Sequence, residues 1–184
     1  MPILPPEPDC FPDDLLDQEE SLEATWWLLY VRSRQEKSIM RQLRTEKISH
    51  FAPLIPQRTR SPAGRIRTSY VPLFSTYVFM RGDDEARYRA VCTGCVMQAA
   101  EILEVADLVT DLRQIRDLVN LGVPLTVESK LQPGQNIRVR NGAFAGYEGT
   151  ILRRENETRL LVAVRFMEQG VSVKLEDCQL EVID

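Results

Sequence analysis

Two cysteines, Cys92 and Cys95, have the C-x-x-C spacing that is used by zinc sites and by redox centres. A structural zinc site needs about four ligands, but the other two cysteines are distant in sequence and His50 is the only histidine. A redox pair would need an electropositive helix N-terminus, whereas this pair follows a predicted helix. The sequence therefore predicts neither a metal site nor a redox centre, and it predicts reduced thiols rather than disulfides.

Composition also disfavours other forms of catalysis. The single histidine excludes most acid-base pairs and nucleophilic triads, and no glycine-rich phosphate loop is present. The chain has 184 residues, 43% of them hydrophobic, and a formal charge of −4. It has no apolar run near the roughly 18 residues that a membrane span needs. We therefore expect a cytoplasmic, monomeric binding protein with one ordinary domain or two small ones, not an enzyme, and no cofactor.

Charge is distributed unevenly along the chain. Residues 1–24 carry eight carboxylates and no Lys or Arg, while residues 32–67 carry ten basic residues against two glutamates. The acidic leader is rich in proline and poor in periodic apolar residues, so we expect it to be disordered. Two interpretations remain open: a solvated tail, or a tail that screens the basic segment until a partner displaces it.

Hydrophobic patterns predict the elements that would position any site. The run TWWLLYV, residues 25–31, predicts a strand, and Ser33 with Glu36 has the spacing of a capping box, which predicts a helix to about Lys47. Further predictions are an extended HFAPLIP segment, a basic hairpin turning at residues 62–64, and a strand at 73–80. A short helix at 83–92, a strand at 95–102 and a longer helix at 106–122 follow. This order predicts a ferredoxin-like antiparallel sheet in an α+β protein.

The pattern changes after Pro124. Residues 124–131 read as a linker, and from there to Asp184 each segment is short, alternating and bounded by turn residues such as Asn141-Gly142. This pattern predicts a small β-barrel of about five strands. The β-branched residues and glycines of this region disfavour a helical alternative, so we expect a permanent barrel.

The stretch NGAFAGYEG, residues 141–149, interleaves three glycines with Phe144 and Tyr147. With its flanks, QPGQNIRVRNGAFAGYEGTI, it resembles the KOW motif. The segments WWLLYVRSRQEK, FAPLIP and PLFSTYVF resemble the N-terminal domain of NusG-type transcription factors in order and spacing. The resemblance covers residues 25–184. It implies a NusG N-terminal domain at 25–123 and an SH3-like KOW barrel at 132–184, with the linker at 124–131 between them and the acidic leader at 1–24 outside the resemblance.

The resemblance implies a non-enzymatic regulator of transcription elongation and antitermination. In this family the N-terminal domain binds the clamp helices of the largest RNA polymerase subunit through an apolar sheet face. By position, the polymerase-binding residues would be Tyr30, Phe74, Tyr77 and Phe79. The alternative for strand aromatics is a place in the core.

Two further surfaces are expected. Phosphate contacts with upstream or non-template DNA are expected from Arg58, Arg60, Arg65 and Arg67, unless these arginines only face water. The KOW domain is expected to bind a ribosomal protein or Rho through Phe144, Tyr147, Phe166 and Met167, unless these residues fill a barrel end.

One motif departs from the family. Members commonly have Phe-Pro-Gly-Tyr where this chain has Phe74-Ser75-Thr76-Tyr77. This departure indicates a different bend before the strand and leaves the subfamily open, whereas the acidic leader and RSRQEK favour a specialised paralogue of the RfaH or UpxY type over the housekeeping factor. The alternative from another class is a KOW-containing RNA-binding or ribosome-associated protein.

Overall fold

The computed structural model describes residues 6–131 and 133–183. The chain forms two compact units, Met1–Ala106 and Asp107–Asp184. Helices and antiparallel strands occur in an α+β arrangement, as predicted. Among the described residues, no helix is long and apolar enough to cross a membrane.

The N-terminal unit contains seven strands and two α-helices among its described residues. In chain order they are β1 (Cys10–Phe11), β2 (Trp26–Val31), α1 (Glu36–Thr45), β3 (Ser49–Phe51), β4 (Leu54–Arg60), β5 (Ile66–Pro72), β6 (Tyr77–Arg81), α2 (Asp84–Cys92) and β7 (Val96–Ile102). Five strands form an antiparallel sheet in the order β1-β3-β6-β2-β7, and β4 and β5 form a separate two-stranded ribbon. The predicted strand and helix order is confirmed from β2 to β7.

Strand β2 shows how the sheet uses its two faces. Successive side chains of a strand point to opposite faces. Trp27, Leu29 and Val31 pack in one core with apolar residues of α1 and α2. Trp26, Leu28 and Tyr30 therefore lie on the opposite face, which we call the second face of the sheet.

Helix α1 begins differently from the prediction. Its N-cap is Gln35, with no side-chain capping hydrogen bond, so the capping box with Ser33 is wrong. The carboxylate of Glu36 accepts a hydrogen bond from the distant amide of Thr76 instead. The helix ends at Thr45, and the left-handed φ of 56° at Lys47 terminates it before the predicted end.

The acidic leader is ordered over residues 6–24, so the prediction of disorder is wrong there; residues 1–5 lie outside the described part. Strand β1 pairs with β3, and Leu15 and Leu16 are fully buried. The indole Nε1 of Trp26 donates to the carbonyl of Ser21 at 2.8 Å. A few buried apolar side chains therefore anchor a segment that is otherwise acidic.

The C-terminal unit begins within helix α3 (Val105–Asn120). Its strands are β8 (Thr126–Glu128), β9 (Asn136–Val139), β10 (Glu148–Arg154), β11 (Glu157–Val164), β12 (Gln169–Lys174) and β13 (Leu180–Val182). They form one antiparallel sheet in the order β13-β9-β10-β11-β12-β8. The region is therefore β-structured, as predicted.

Two details of the C-terminal prediction are corrected. The expected barrel of about five strands is a six-stranded sheet that does not close, because β13 and β8 are edges among the described residues. The expected linker at 124–131 contains β8, which pairs with β12, for example Val127 opposite Val171. A strand of three residues is too short to show a clear alternating pattern in the sequence. Its pairing with β12 is a long-range contact that the local sequence does not indicate.

Close packing explains part of the glycine-rich stretch. Gly146 has a φ of 90°, a left-handed conformation that side chains disfavour. A Cβ at Gly149 would lie only 2.2 Å from the carbonyl oxygen of Leu161, on the neighbouring strand β11. These glycines therefore serve the turn before β10 and the close approach of β10 and β11.

Candidate interaction surfaces

An exposed pair of tyrosines lies on the second face of the N-terminal sheet. Tyr30 of β2 and Tyr77 of β6 are directly opposite each other, and their ring centroids are 5.6 Å apart at an interplanar angle of 51°. Tyr30 is 38% exposed and Tyr77 is half-buried. The pair therefore presents two adjacent rings that can offer both apolar contact and hydroxyl groups.

The other two predicted polymerase contacts are buried. Phe74 is 2% exposed and Phe79 is fully buried. Phe79 lies opposite Leu28 and Phe51 on the second face, where both neighbours are also buried. The core alternative therefore applies to Phe74 and Phe79, and the prediction that they contact a partner directly is corrected.

A hydrogen-bonded bend positions Tyr77. Thr76 has a left-handed φ of 69°, and its amide donates to Oε1 of Glu36 at 2.8 Å. Its carbonyl accepts from the amide of Val31, also at 2.8 Å. Glu36 is only 6% exposed, so this contact is shielded from water. Sequence reasoning missed the role of Glu36, although the departure at Ser75-Thr76 marked the bend.

The leader lies at the other end of the same strands. Trp26 and Arg81 are paired across β2 and β6, and Nη1 of Arg81 donates to the side chains of Gln18 and Ser21 at 2.8 and 2.7 Å. Trp26 is fully buried. The leader therefore packs at the Trp26 end of the second face, while the tyrosine pair at the opposite end of β2 stays accessible.

The basic ribbon of β4 and β5 is the second surface. Its strands pair from Leu54 opposite Pro72 to Arg60 opposite Ile66. The segment 54–72 has four arginines and no Asp or Glu, and all four arginines are exposed. Because side chains alternate along a strand, Arg58 and Arg60 share one face, Arg67 lies on the other and Arg65 is in the turn. The ribbon therefore exposes basic side chains on both of its faces and at its turn.

The predicted KOW contacts divide between core and surface. Phe144 is 8% exposed and packs edge-on against the half-buried ring of Tyr147, with centroids 6.3 Å apart. Phe166 is 43% exposed and Met167 is half-buried, both in a short 3-10 turn. Phe144 therefore belongs to the core, and the other three side chains remain at least partly accessible.

Helix α3 lies beside these residues within the C-terminal unit. The buried carboxylate of Asp111 accepts hydrogen bonds from the amide, Nε and Nη2 of Arg165, all within 3.1 Å. Oε1 of Gln114 accepts from the amide of Glu148 at 3.1 Å. Arg165 and Glu148 are the chain neighbours of Phe166 and Tyr147, so α3 fixes the backbone next to both rings. The Asp111 contact was not anticipated from the sequence.

The C-x-x-C cysteines occupy different environments. Cys92 is exposed at the end of α2, whereas Cys95 is buried and accepts a hydrogen bond from Nε2 of Gln42 at 3.5 Å. In the part of the chain that the structure describes, no group of three or more His, Cys, Asp or Glu side chains could hold a metal ion.

Comparisons with known proteins identify one family. The sequence model described as transcription termination factor nusG matches residues 24–131, which include both predicted polymerase tyrosines and the basic ribbon. A solved structure described as the MjSpt4:Spt5 complex in conformation B is similar at 13% identity, covering 86% of this chain and 99% of that chain, with a TM-score of 0.24. No curated protein matches the chain.

Proposed function

The chain belongs to the NusG family of transcription factors, and from this premise we propose that it regulates transcript elongation by binding RNA polymerase through Tyr30 and Tyr77. The observation that supports this proposal is the accessible pair of rings on the second face of the sheet, 5.6 Å apart. The partner surface is the clamp helices of the largest polymerase subunit.

The chemistry of the pair suits such a partner. Tyrosine is enriched at interface centres because a large rigid ring carries a hydroxyl that can hydrogen-bond at the rim. The buried neighbours Leu28 and Phe79 support the rings from within the sheet. The Glu36–Thr76 contact fixes the start of β6 before any partner binds. The entropic cost of ordering this segment on binding is therefore small.

The basic ribbon would contact upstream or non-template DNA. Four arginines without an intervening carboxylate favour phosphate contacts, which are independent of base sequence and sensitive to salt. The ribbon would therefore add affinity within an elongation complex and leave specificity to other contacts.

The C-terminal unit would bind a second protein, with a ribosomal protein or Rho as the candidates that the family suggests. Phe166, Met167 and Tyr147 form the accessible part of this surface. The acidic leader and the RSRQEK segment support a specialised paralogue that acts as an antiterminator on particular operons.

A binding assay with purified RNA polymerase tests the central claim. We expect the wild-type chain to bind and the double variant Tyr30→Ala, Tyr77→Ala to bind at least about tenfold more weakly, as for a central aromatic hot spot. Tyr88→Ala is the matched control, because Tyr88 is a 66% exposed tyrosine of α2 outside this pair.

Two results would contradict the proposal. One is equal polymerase binding by the double variant and the wild type when both are folded. The other is retention of ribosomes or RNA with no polymerase, which would favour the alternative of a KOW-containing RNA-binding or ribosome-associated protein.

A further inference from the structure

Helix α1 carries a basic stripe formed by Lys37, Arg41 and Arg44. These residues are at positions i, i+4 and i+7, so they share one side of the helix. The apolar side, with Ile39, Met40 and Leu43, is buried in the core. The stripe extends about 10 Å along the helix axis.

The leader places an oxyanion on this stripe. Nε of Arg41 is 3.1 Å from both carboxylate oxygens of Glu7, and its Nη2 also contacts Oε1. Nη2 of Arg44 donates to the carbonyl of Pro8 at 3.2 Å. The hydrogen bond from Arg41 lowers the pKa of Glu7, and the charges of Lys37 and Arg44 act in the same direction. Arg41 therefore contacts the Glu7 carboxylate directly, Arg44 contacts the neighbouring Pro8 carbonyl, and Lys37 acts on Glu7 through its charge.

The stripe is not saturated by the leader. Nε of Arg44 is buried and has no hydrogen-bond partner among residues 6–131 and 133–183. Arg41 also borders a cleft of 450 Å³ between α1 and α2, lined in addition by Thr45, Thr93 and Arg89. Glu46 pairs with Arg89 at 3.3 Å and offsets that one charge. There is thus space beside Arg41 for a larger anion than one carboxylate.

We propose that Lys37, Arg41 and Arg44 form a second nucleic-acid site, which binds phosphodiester groups, and that Glu7 of the leader occupies it in this structure. This site is separate from the Tyr30–Tyr77 pair and from the β4–β5 ribbon, so it goes beyond the function proposed above. The leader then acts as a tethered competitor of nucleic acid.

Geometry favours a nucleic-acid backbone as the external ligand. Guanidinium groups bind phosphate in the same forked geometry as carboxylate. The three cations span about 10 Å, which matches three steps of axial rise along one DNA strand at about 3.4 Å each, or about four successive phosphates. Glu7 supplies a single charge to the same three cations.

The leader can release the stripe without unfolding. Its anchoring residues, Leu15 and Leu16, are fully buried, whereas Glu7 precedes β1 and forms an ion pair in which the Arg41 side chain is 60% exposed and the Glu7 side chain is 25% exposed. Exposed ion pairs contribute little stability. The end that carries Glu7 can therefore lift from α1 while β1 and the two leucines keep their places.

A DNA-binding titration with the full chain tests the site. The probes are a fluorescent duplex and a single strand of the same sequence, followed by anisotropy over a range of salt concentrations. We expect Glu7→Gln to tighten binding about two- to fivefold, the range that loss of one exposed competing ion pair allows. It should also steepen the salt dependence, because more counterions are released.

Glu176→Gln is the matched control. Glu176 makes an exposed ion pair with Lys174 at 3.0 Å, and its substitution changes the net charge equally. We expect it to leave the salt dependence unchanged, and we expect Arg41→Gln with Arg44→Gln to abolish the gain from Glu7→Gln. If Glu7→Gln tightens binding to only one of the two probes, that probe identifies whether the stripe prefers duplex or single-stranded DNA.

Three results would overturn the proposal. The first is that Glu7→Gln and Glu176→Gln behave alike, and the second is that neither probe binds to Glu7→Gln. The third is loss of the Glu7→Gln gain when the four ribbon arginines are replaced by Gln, which would assign the effect to the ribbon.

Discussion

The carboxylate of Glu36 holds the backbone of Thr76 in a left-handed turn. Oε1 of Glu36 accepts from the Thr76 amide at 2.8 Å, and Thr76 has a φ of 69°. A β-branched residue is strongly disfavoured in this region, where glycine is tolerated at no cost. The family commonly has glycine at this position, so the buried hydrogen bond that the Thr76 amide donates to Glu36 stabilises a conformation that threonine disfavours.

Replacing Thr76 by glycine should increase stability. The left-handed conformation costs an L-residue about 1–2 kcal/mol, and part of this gain is offset by the greater freedom of glycine in the unfolded chain. We expect a net gain of about 0.5–1 kcal/mol in the free energy of unfolding, measured by urea denaturation. Ser75→Gly, at the neighbouring position, should decrease stability. If it raised the free energy of unfolding as much as Thr76→Gly does, the gain would not come from relief of backbone strain at Thr76.

Removing the Glu36 carboxylate should destabilise the bend. Glu36→Ala leaves the Thr76 amide without its acceptor, which costs about 1–3 kcal/mol for a buried group. Glu36→Gln keeps an oxygen acceptor and should cost less. Hydrogen exchange of the Thr76 amide is the direct measurement, and unchanged protection in Glu36→Ala would show that the contact does not hold the bend.

Replacing a buried aromatic residue of the second face should reduce stability more than replacing an exposed one. Phe79→Ala removes a fully buried ring and should cost about 3–5 kcal/mol. Tyr30→Ala removes a ring that is 38% exposed and should cost clearly less. Thermal unfolding of both variants checks this order, and a larger loss for Tyr30→Ala would place Tyr30 in the core and remove it from the proposed interface.

The ribbon arginines should control the salt dependence of DNA binding in an elongation complex. Replacing Arg58, Arg60, Arg65 and Arg67 together by Gln removes up to four phosphate contacts, each of which contributes about 0.7–0.9 to the slope of log K against log salt. Binding to an isolated clamp-helix fragment should change little. An unchanged slope in the elongation complex would show that these arginines only face water.

Strong local patterns made several elements of both units predictable. The aromatic and aliphatic runs of β2 and β6 and the apolar periodicity of α3 each contain their own signal, and the structure confirms these elements within a few residues. The basic hairpin was also predicted, because its turn residues at 62–64 interrupt two extended segments. The accessible tyrosine pair followed from the family resemblance.

Long-range contacts account for most of what was missed. Glu36 has the local spacing of a capping residue, but the distant Thr76 amide is its partner. Leu15 and Leu16 are two apolar residues within an acidic segment, and only the tertiary structure shows that they are buried. The pairing of Val127 with Val171 joins residues 44 positions apart, so β8 was read as a linker.

His50 should make stability depend on pH. Burial lowers the pKa of His50 from its usual 6.5, although the Ile48 carbonyl acts in the opposite direction, and the charge of Arg44 lowers it further. Nδ1 lies 2.9 Å from that carbonyl, and the buried Nε2 has no partner within the described part of the chain. The folded state therefore favours the neutral ring, with the proton on Nδ1, because the Ile48 carbonyl can only accept a hydrogen bond.

The sign of the His50 effect follows from proton linkage. Below about pH 6.5 the unfolded chain binds a proton that the folded chain does not, so stability should fall as pH decreases from there towards the lower folded pKa. The slope for one proton is at most about 1.4 kcal/mol per pH unit. His50→Leu places an apolar side chain without a titrating group at this fully buried position. It should therefore remove this dependence of stability on pH.

The measurement is urea denaturation of wild type and His50→Leu between pH 5 and pH 7, about the range in which an ordinary histidine titrates. Burial raises the pKa of Asp9, which therefore gives the opposite pH dependence above the usual aspartate value of 3.8. This contribution is common to both proteins and cancels in their difference. A difference that is constant with pH would show that His50 titrates normally in the folded chain and that its burial does not control acid stability.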